Sequence, residues 1–324
     1  MAEASDEPEL ICNDFDAALA RLRGEGARLD VIWPADAPHS AILTHRGKRL
    51  RLTSRPDAPP PPSRALPAFK PGFVLTRAGN EAGAGRAGMA YRDLIPGRLG
   101  GRYIASHITI AEGGPVADWV HYHLVALQLI VVRRGWVHVV YEDQGPSFVM
   151  HAGDMVLQPT GIRHRVLDAS AGLEVVELSC PAIHETFADH DLALPNGKGA
   201  PGRTWESQTF FHHQAAADWV PWHGAEAQPT GLNEATDGLA EARIIRPGAA
   251  PAVAVPPHDG ELVFGFVLEG TARLDLEGAH ALGPADAFVI PPDRPWGLGG
   301  MSADFRLLQV ATRALEQGSP ARLD

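Results

Sequence analysis

The sequence predicts an all-β fold built as two barrels behind a small N-terminal α+β extension. Three observations carry this. From Gly101 onward, short apolar runs alternate with Gly, Pro and Asp turns, and no helical period interrupts them. A set of residues recurs at an offset of 135 positions, too long for a solenoid and suited to a duplicated domain. The residues before Gly101 read differently, with one helical segment and a proline run.

In chain order, residues 14–24 (DFDAALARLRG) predict a short amphipathic helix, with Asn13 or Asp14 as N-cap and Gly24 as its stop. Strand-like runs follow at Leu29–Trp33, Ala41–Thr44 and Leu50–Leu52, the last two joined by a turn at Gly47-Lys48. Pro59 to Pro62 reads as a semi-rigid linker or surface strap, and Ala78–Gly88 as an irregular Gly/Ala-rich stretch. Strands are then expected at Tyr103–Ile110, Leu124–Val132, Val137–Tyr141, Met155–Gln158 and Leu173–Leu178. The repeat sets Gly113 against Gly248, His123 against His258 and Gly135 against Gly270. After a three-residue deletion it sets Pro159 against Pro291. The expected units are an extension and linker over 1–95, a first barrel over 96–182, a connection over 183–235 and a second barrel over 236–316.

The chain has 324 residues, 45% of them hydrophobic, enough for one large or two ordinary cores. A net charge of −11 argues against nucleic acid or an anionic membrane as partner, and points to a small-molecule substrate. Cys12 and Cys180 are far apart and not metal-spaced, as in a reduced, cytoplasmic protein. The acidic start MAEASDEPEL lacks an apolar signal region, and no stretch is long enough to span a bilayer. A homodimer is open.

The chemistry concentrates in His121-Tyr-His123, Gln128 and His164. Histidines at i and i+2 share one face of a strand, and burying two imidazoles without a partner is costly. Gln128 has the wrong parity for a straight strand, so it joins them only if the chain bends. His164 must arrive on another strand, aimed by a turn at Pro159 and Gly161. Three imidazoles and a side-chain carbonyl can then meet on one metal ion.

Here the chain resembles the cupin superfamily. That family's first motif sets a glycine before a His-x-His pair, then a glutamate and a second glycine. The counterparts are Gly114, His121, His123, Gln128 and Gly135. Its second motif is matched throughout, from Gly153 through Pro159 and Gly161 to His164. Two departures stand out: Gly114 is one residue further from His121 than the pattern asks, and Gln128 replaces the glutamate. The resemblance implies two cupin-type double-stranded β-helix (jelly-roll) barrels, a bicupin. Its metal site is kept only in the first, since Pro256, Val263 and Trp296 replace His121, Gln128 and His164 in the second copy.

A neutral ligand set leaves a divalent ion its full charge, making it a strong Lewis acid. Imidazole donors suit Fe, Zn, Ni, Cu and, less well, Mn. Fe(II) is the first choice, because an open nitrogen-rich site suits oxygen chemistry. The resemblance implies a non-haem dioxygenase acting on a small oxygenated, aromatic or diketone-like substrate. The alternatives are a redox-neutral isomerase, lyase or hydrolase, and a non-catalytic metal- or ligand-binding cupin. No acidic residue lies inside the metal motifs to serve as base, although Asp118 and Asp154 adjoin them at turn positions. Gln158 and His107 are expected either on the pocket wall or in solvent. Tyr103 and Trp136 belong in an aromatic pocket or in the core. Arg133, Arg134, Arg163 and Arg165 either form surface ion pairs or capture a substrate carboxylate. The histidines of the connection, including His184 and the pair His212-His213, fit no metal spacing. The latter pair is a candidate lid.

Overall fold

Alternation along two strands sets the layers of the first barrel. On Leu127–Arg134, the side chains of Leu127, Leu129 and Val131 face one way and those of Gln128 and Ile130 the other. On Leu173–Cys180, Val176, Leu178 and Cys180 share the first direction, while Leu173, Val175 and Glu177 share the second. The computed structural model describes residues 8–57, 66–80, 82–84, 88–215 and 218–315. The proline run Pro59 to Pro62 and part of the Ala78–Gly88 stretch lie outside the described residues.

Among the described residues, the first barrel combines a ten-stranded and a seven-stranded sheet. The ten-stranded sheet holds His121–Tyr122, His164–Ala169 and Trp136–Tyr141 side by side. The seven-stranded sheet centres on Leu127–Arg134, Leu173–Cys180 and Ile104–Ile110. The second barrel repeats the plan with a seven-stranded and a four-stranded sheet. The seven-stranded sheets of the two barrels share one apolar core: Leu127, Leu129 and Leu178 pack in the same cluster as Leu262, Phe264 and Val310. Across this layer Arg102 donates to Glu261 at 2.6 and 2.9 Å, and Tyr103 donates its hydroxyl to the same carboxylate at 2.9 Å. Tyr103 is therefore an inter-barrel residue, fully buried in the shared apolar core.

The N-terminal helix spans Phe15–Gly24. Asp14 caps it, accepting from the Ala17 amide at 3.0 Å, and Gly24 is its last residue, with the cap at Glu25. Phe15 and Leu22 pack onto Leu29, Ile32, Leu43 and Leu52. Strands Ser40–His45 and Lys48–Thr53 close through Arg46 and Gly47, both with positive φ (52° and 76°), a turn that matches strand twist. These strands extend the ten-stranded sheet, because Arg28–Trp33 pairs with Thr186–Ala188, which pairs with His121–Tyr122. Further on, Ala90–Asp93 pairs with Ile104–Ile110, while Val74–Thr76 pairs with Ala287–Ile290 of the second barrel. None of the helices described is long and apolar enough to cross a membrane.

The duplication is visible at the level of single bonds. Gly135 (φ 79°) leaves room for Ser170, whose Oγ accepts from the Trp136 amide at 3.0 Å. Gly270 (φ 69°) does the same for Ser302, whose Oγ accepts from the Thr271 amide at 2.8 Å. The barrels diverge inside. In the second, Phe288, Trp296 and Phe305 fill the interior, and a Cβ on Gly265 would stand 2.2 Å from the Phe288 ring. His258 donates from Nε2 to the Ile290 carbonyl at 3.1 Å, a structural role.

Candidate metal centre

His121 and His164 are direct cross-strand partners, and their ring centroids lie 4.2 Å apart. His123 follows the His121–Tyr122 strand, its ring 5.3 Å from that of His121 and 5.5 Å from that of His164. The Pro159–Gly161 turn is pinned beneath it, since the Gly161 amide donates to the His123 carbonyl at 2.8 Å. One nitrogen from each ring falls within 4.8 Å of the others, and all three residues are buried. Among the described residues this is the group able to hold a metal ion.

Backbone carbonyls fix the three rings. His121 Nδ1 lies 2.7 Å from the Trp119 oxygen, His123 Nδ1 2.9 Å from that of Glu185, and His164 Nδ1 3.0 Å from that of Ile162. A carbonyl only accepts, so each Nδ1 carries the proton and each Nε2 keeps its lone pair. Metal-binding histidines are oriented in this way. Burial, reinforced by His184, His121 and His164, holds the His123 pKa well below the ordinary imidazole value, so the ring is neutral. Asp118, an expected turn residue, is buried; it accepts from the Val166 amide at 2.9 Å and stands 3.5 Å from His121 Nδ1.

Gln128 reaches the same cavity because the chain changes sheets between Tyr122 and Leu127. Its Nε2 donates to Glu177 at 2.9 Å, and the Ser179 hydroxyl donates to the same oxygen at 3.1 Å. Glu177 is the carboxylate that the motifs lack. It comes from strand Leu173–Cys180, outside both motifs, and its sequence signal is parity with Leu173 and Val175 in a strand apolar on both faces. Gln158, one of the expected wall residues, lines the cavity and donates to the Tyr141 hydroxyl at 2.9 Å. Burial pushes the Tyr141 phenol up, so it stays protonated, and its ring stacks on His164 at 5.7 Å.

The cavity beside the three rings measures about 100 Å³, room for a small ligand. Apolar side chains from Met89 through Val175 make up most of its wall. A second, smaller cavity of about 30 Å³ adjoins it and shares Tyr91, His123 and Glu177. Asp36, Ser106 and His184 complete its polar lining. His184, whose ring sits 5.2 Å from that of His123, was not singled out by spacing.

The remaining expected residues lie elsewhere. His107 is neither in the cavity nor in solvent; it is buried between Arg92, Glu174 and Phe266. Arg133 and Arg134 pair with Glu174, and Arg163 pairs with Asp189 at 3.0 Å. No arginine or lysine is part of the described cavity lining. His212 and His213 belong to strand Phe211–His213, which is hydrogen-bonded to Met155–Leu157 and is thus a sheet edge, not a free lid.

No family model and no curated relative matches the chain. Solved structures do. A structure of oxalate decarboxylase from Bacillus subtilis at pH 4.6 superposes with a TM-score of 0.54 at 11% identity, covering 80% of this chain and 81% of that one. A second structure of that enzyme, concerned with its Mn(II) centres, gives 0.54 at 12% identity over 79% and 81%. A third, concerned with its substrate binding mode and reaction specificity, gives 0.54 at 11% over 79% and 81%. At this identity the likeness speaks to fold alone, and it agrees with the duplicated sheets: the chain has a bicupin fold.

Proposed function

We propose that this bicupin is a metal-dependent enzyme that holds a small oxygen-bearing substrate at His121, His123 and His164 and uses Glu177 to take a proton from it. One observation carries the proposal. A carboxylate, held by Gln128 and Ser179, shares an apolar cavity with three imidazoles, each fixed at Nδ1 by a backbone carbonyl, with one nitrogen of each within 4.8 Å of the others. The donor set fits a divalent transition metal, with Gln128 Oε1 as a fourth, weaker ligand. Fe(II) remains the first choice, and the Mn(II) centres of the similar enzyme add weight to Mn(II). When bound, the ion supplies Lewis-acid activation of the substrate oxygens.

The chain's own residues do the rest. The Nδ1–carbonyl bonds keep the imidazoles in one tautomer. Gln128 and Ser179 aim the Glu177 carboxylate, which accepts the proton that a diketone or phenol loses as it binds. The Tyr141 hydroxyl, still protonated, offers a hydrogen bond to a substrate oxygen. The apolar wall excludes water from the reacting carbon. With O2 as second substrate, this arrangement supports a dioxygenase cleaving an aromatic or diketone-like compound. A redox-neutral lyase or isomerase is the second reading, and Glu177 favours it by supplying the base that the motifs lack.

The deciding experiment is turnover of a phenolic and diketone panel by Fe(II)- and Mn(II)-loaded protein, in air and under strict anaerobiosis. Oxygen uptake coupled to substrate loss supports the dioxygenase; undiminished anaerobic turnover supports the lyase or isomerase. Glu177→Gln should retain metal and lose about 10²–10⁴-fold in rate. A variant with full activity would remove Glu177 from the mechanism.

A further inference from the structure

The polarity of the cavity is one-sided. Its hydrogen-bonding groups are the three histidines, Gln128 with Glu177, Gln158 with Tyr141, which stacks on His164, and Tyr91, whose hydroxyl donates to the Met89 sulfur at 3.4 Å. The rest of the lining is aliphatic or thioether, including Met89, Ile108, Ile110, Val137, Leu173 and Val175. Met89 comes from the N-terminal extension and closes the wall against the barrel strands.

The charge of the lining is equally one-sided. Its carboxylate is Glu177, and no guanidinium or ammonium faces it among the described residues. Arg165, next to His164, is not part of the lining, and four other basic groups near the site are committed elsewhere. Arg133 and Arg134 go to Glu174, Arg163 goes to Asp189, and Arg92 goes to His107 and the Ala285 carbonyl. A small dianion would use up the whole charge of a divalent ion held by neutral ligands, and would leave the Glu177 carboxylate beside it with no cation in the lining to balance it. Burying an unpaired ion costs several kcal/mol. An uncharged or singly ionised ligand meets no such barrier, and an apolar body gains from the aliphatic wall.

We infer that the first-barrel cavity selects ligands with one chelating, oxygen-bearing end and an apolar body, and that it rejects small dicarboxylates such as oxalate. This specificity rests on taking the cavity as the substrate site of a metal centre, and it separates the chain from the enzymes it resembles in fold. The wall residues named above are its specificity determinants. Ile108, Val137 and Val175 belong to this wall, and none of the lining residues described offers a basic side chain to a second carboxylate.

The test is binding, not turnover. The full chain is loaded with Zn(II), which carries no redox chemistry. Calorimetry then compares benzoylacetone, acetylacetone and oxalate, and metal analysis after each titration checks that the ion is retained. Benzoylacetone should bind at least tenfold tighter than acetylacetone, because its phenyl ring is buried. Oxalate should bind at least tenfold more weakly than acetylacetone. Oxalate binding as tight as benzoylacetone, or no gain from the phenyl group, would overturn the inference. Failure of the two readings is distinguishable: tight benzoylacetone binding without turnover of any panel compound sinks the enzymatic proposal alone, and tight oxalate binding by a catalytically active protein sinks this one alone.

Discussion

Gln128 donates to Glu177 across neighbouring strands at 2.9 Å, a diagonal contact in a register that sets Gln128 opposite Ser179 and Ile130 opposite Glu177. The bond makes sense of glutamine where the family motif carries glutamate. An amide can donate to Glu177 and still offer its carbonyl; a second carboxylate can only repel. Gln128→Glu should therefore destabilise the metal-free protein by about 1–3 kcal/mol, the cost of an unsatisfied buried acceptor. Metal should restore much of that loss, because the new carboxylate is the better ligand. Melting of metal-free and metal-loaded protein checks this. Equal melting temperatures for variant and wild type in both states would show that the contact carries no stability.

Gly265 and Phe288 form the plug of the second barrel. A methyl group at position 265 would meet the Phe288 ring at 2.2 Å, and Phe288 is fully buried, so the ring has nowhere to move. Gly265→Ala should cost about 1–3 kcal/mol by overpacking. Adding Phe288→Leu should recover part of it, a coupling that urea unfolding of the two singles and the double measures. Metal content should stay at the wild-type level in all three. Strict additivity would mean that the two residues do not compete for space.

Much of this was legible in the sequence because it rests on short-range rules. The i, i+2 histidines, the Gly/Pro turn and the Asp14 cap are local patterns, and the structure places His121, His123 and His164 together as their spacing implied. The duplication was legible because Gly135 and Gly270 answer the same steric need. Glu177 and His184 were not, since each reaches the site through cross-strand register and loop path that no local spacing encodes. For the same reason the extension read as separate, although Arg28–Trp33 continues the sheet that carries His121. Arg102 and Tyr103 took their meaning from Glu261, a residue of the other barrel.

One metal ion per chain is the expected stoichiometry. The second barrel has Val263 and Trp296 packed into its core, and its His258 is bonded to a carbonyl. After reconstitution and gel filtration, metal analysis should give one equivalent for wild type and for His258→Ala. It should give close to none for His164→Ala, which keeps two imidazoles of three. Two equivalents in the wild type, or loss of metal in His258→Ala, would place an ion in the second barrel.

Several buried histidines, among them His123, His184, His212 and His213, have lowered pKa values and make stability fall in acid, and His107 is one of them, buried where the barrels meet, under the Phe266 ring at 5.6 Å. Arg92 donates to its Nδ1 at 3.2 Å, and its Nε2 donates to Glu174 at 2.9 Å, so the neutral ring already has one acceptor and one donor in use. Protonation would turn an N–H onto Arg92. Burial first, then Arg92, lower the His107 pKa, against the opposing pull of Glu174. The unfolded chain therefore binds this proton more readily, and stability is lost as pH falls below the free-histidine value of about 6.5. Glu174 acts in the same direction at lower pH. Burial would raise its pKa, but Arg133 and His107 outweigh burial and lower it, so its contribution disappears as pH drops through the carboxylate range. Urea midpoints taken from neutral pH downward should fall in two stages. His107→Gln keeps a neutral donor and acceptor at this position and should reduce the upper stage while leaving the lower one. An unchanged upper stage in that variant would assign the loss of stability to another histidine.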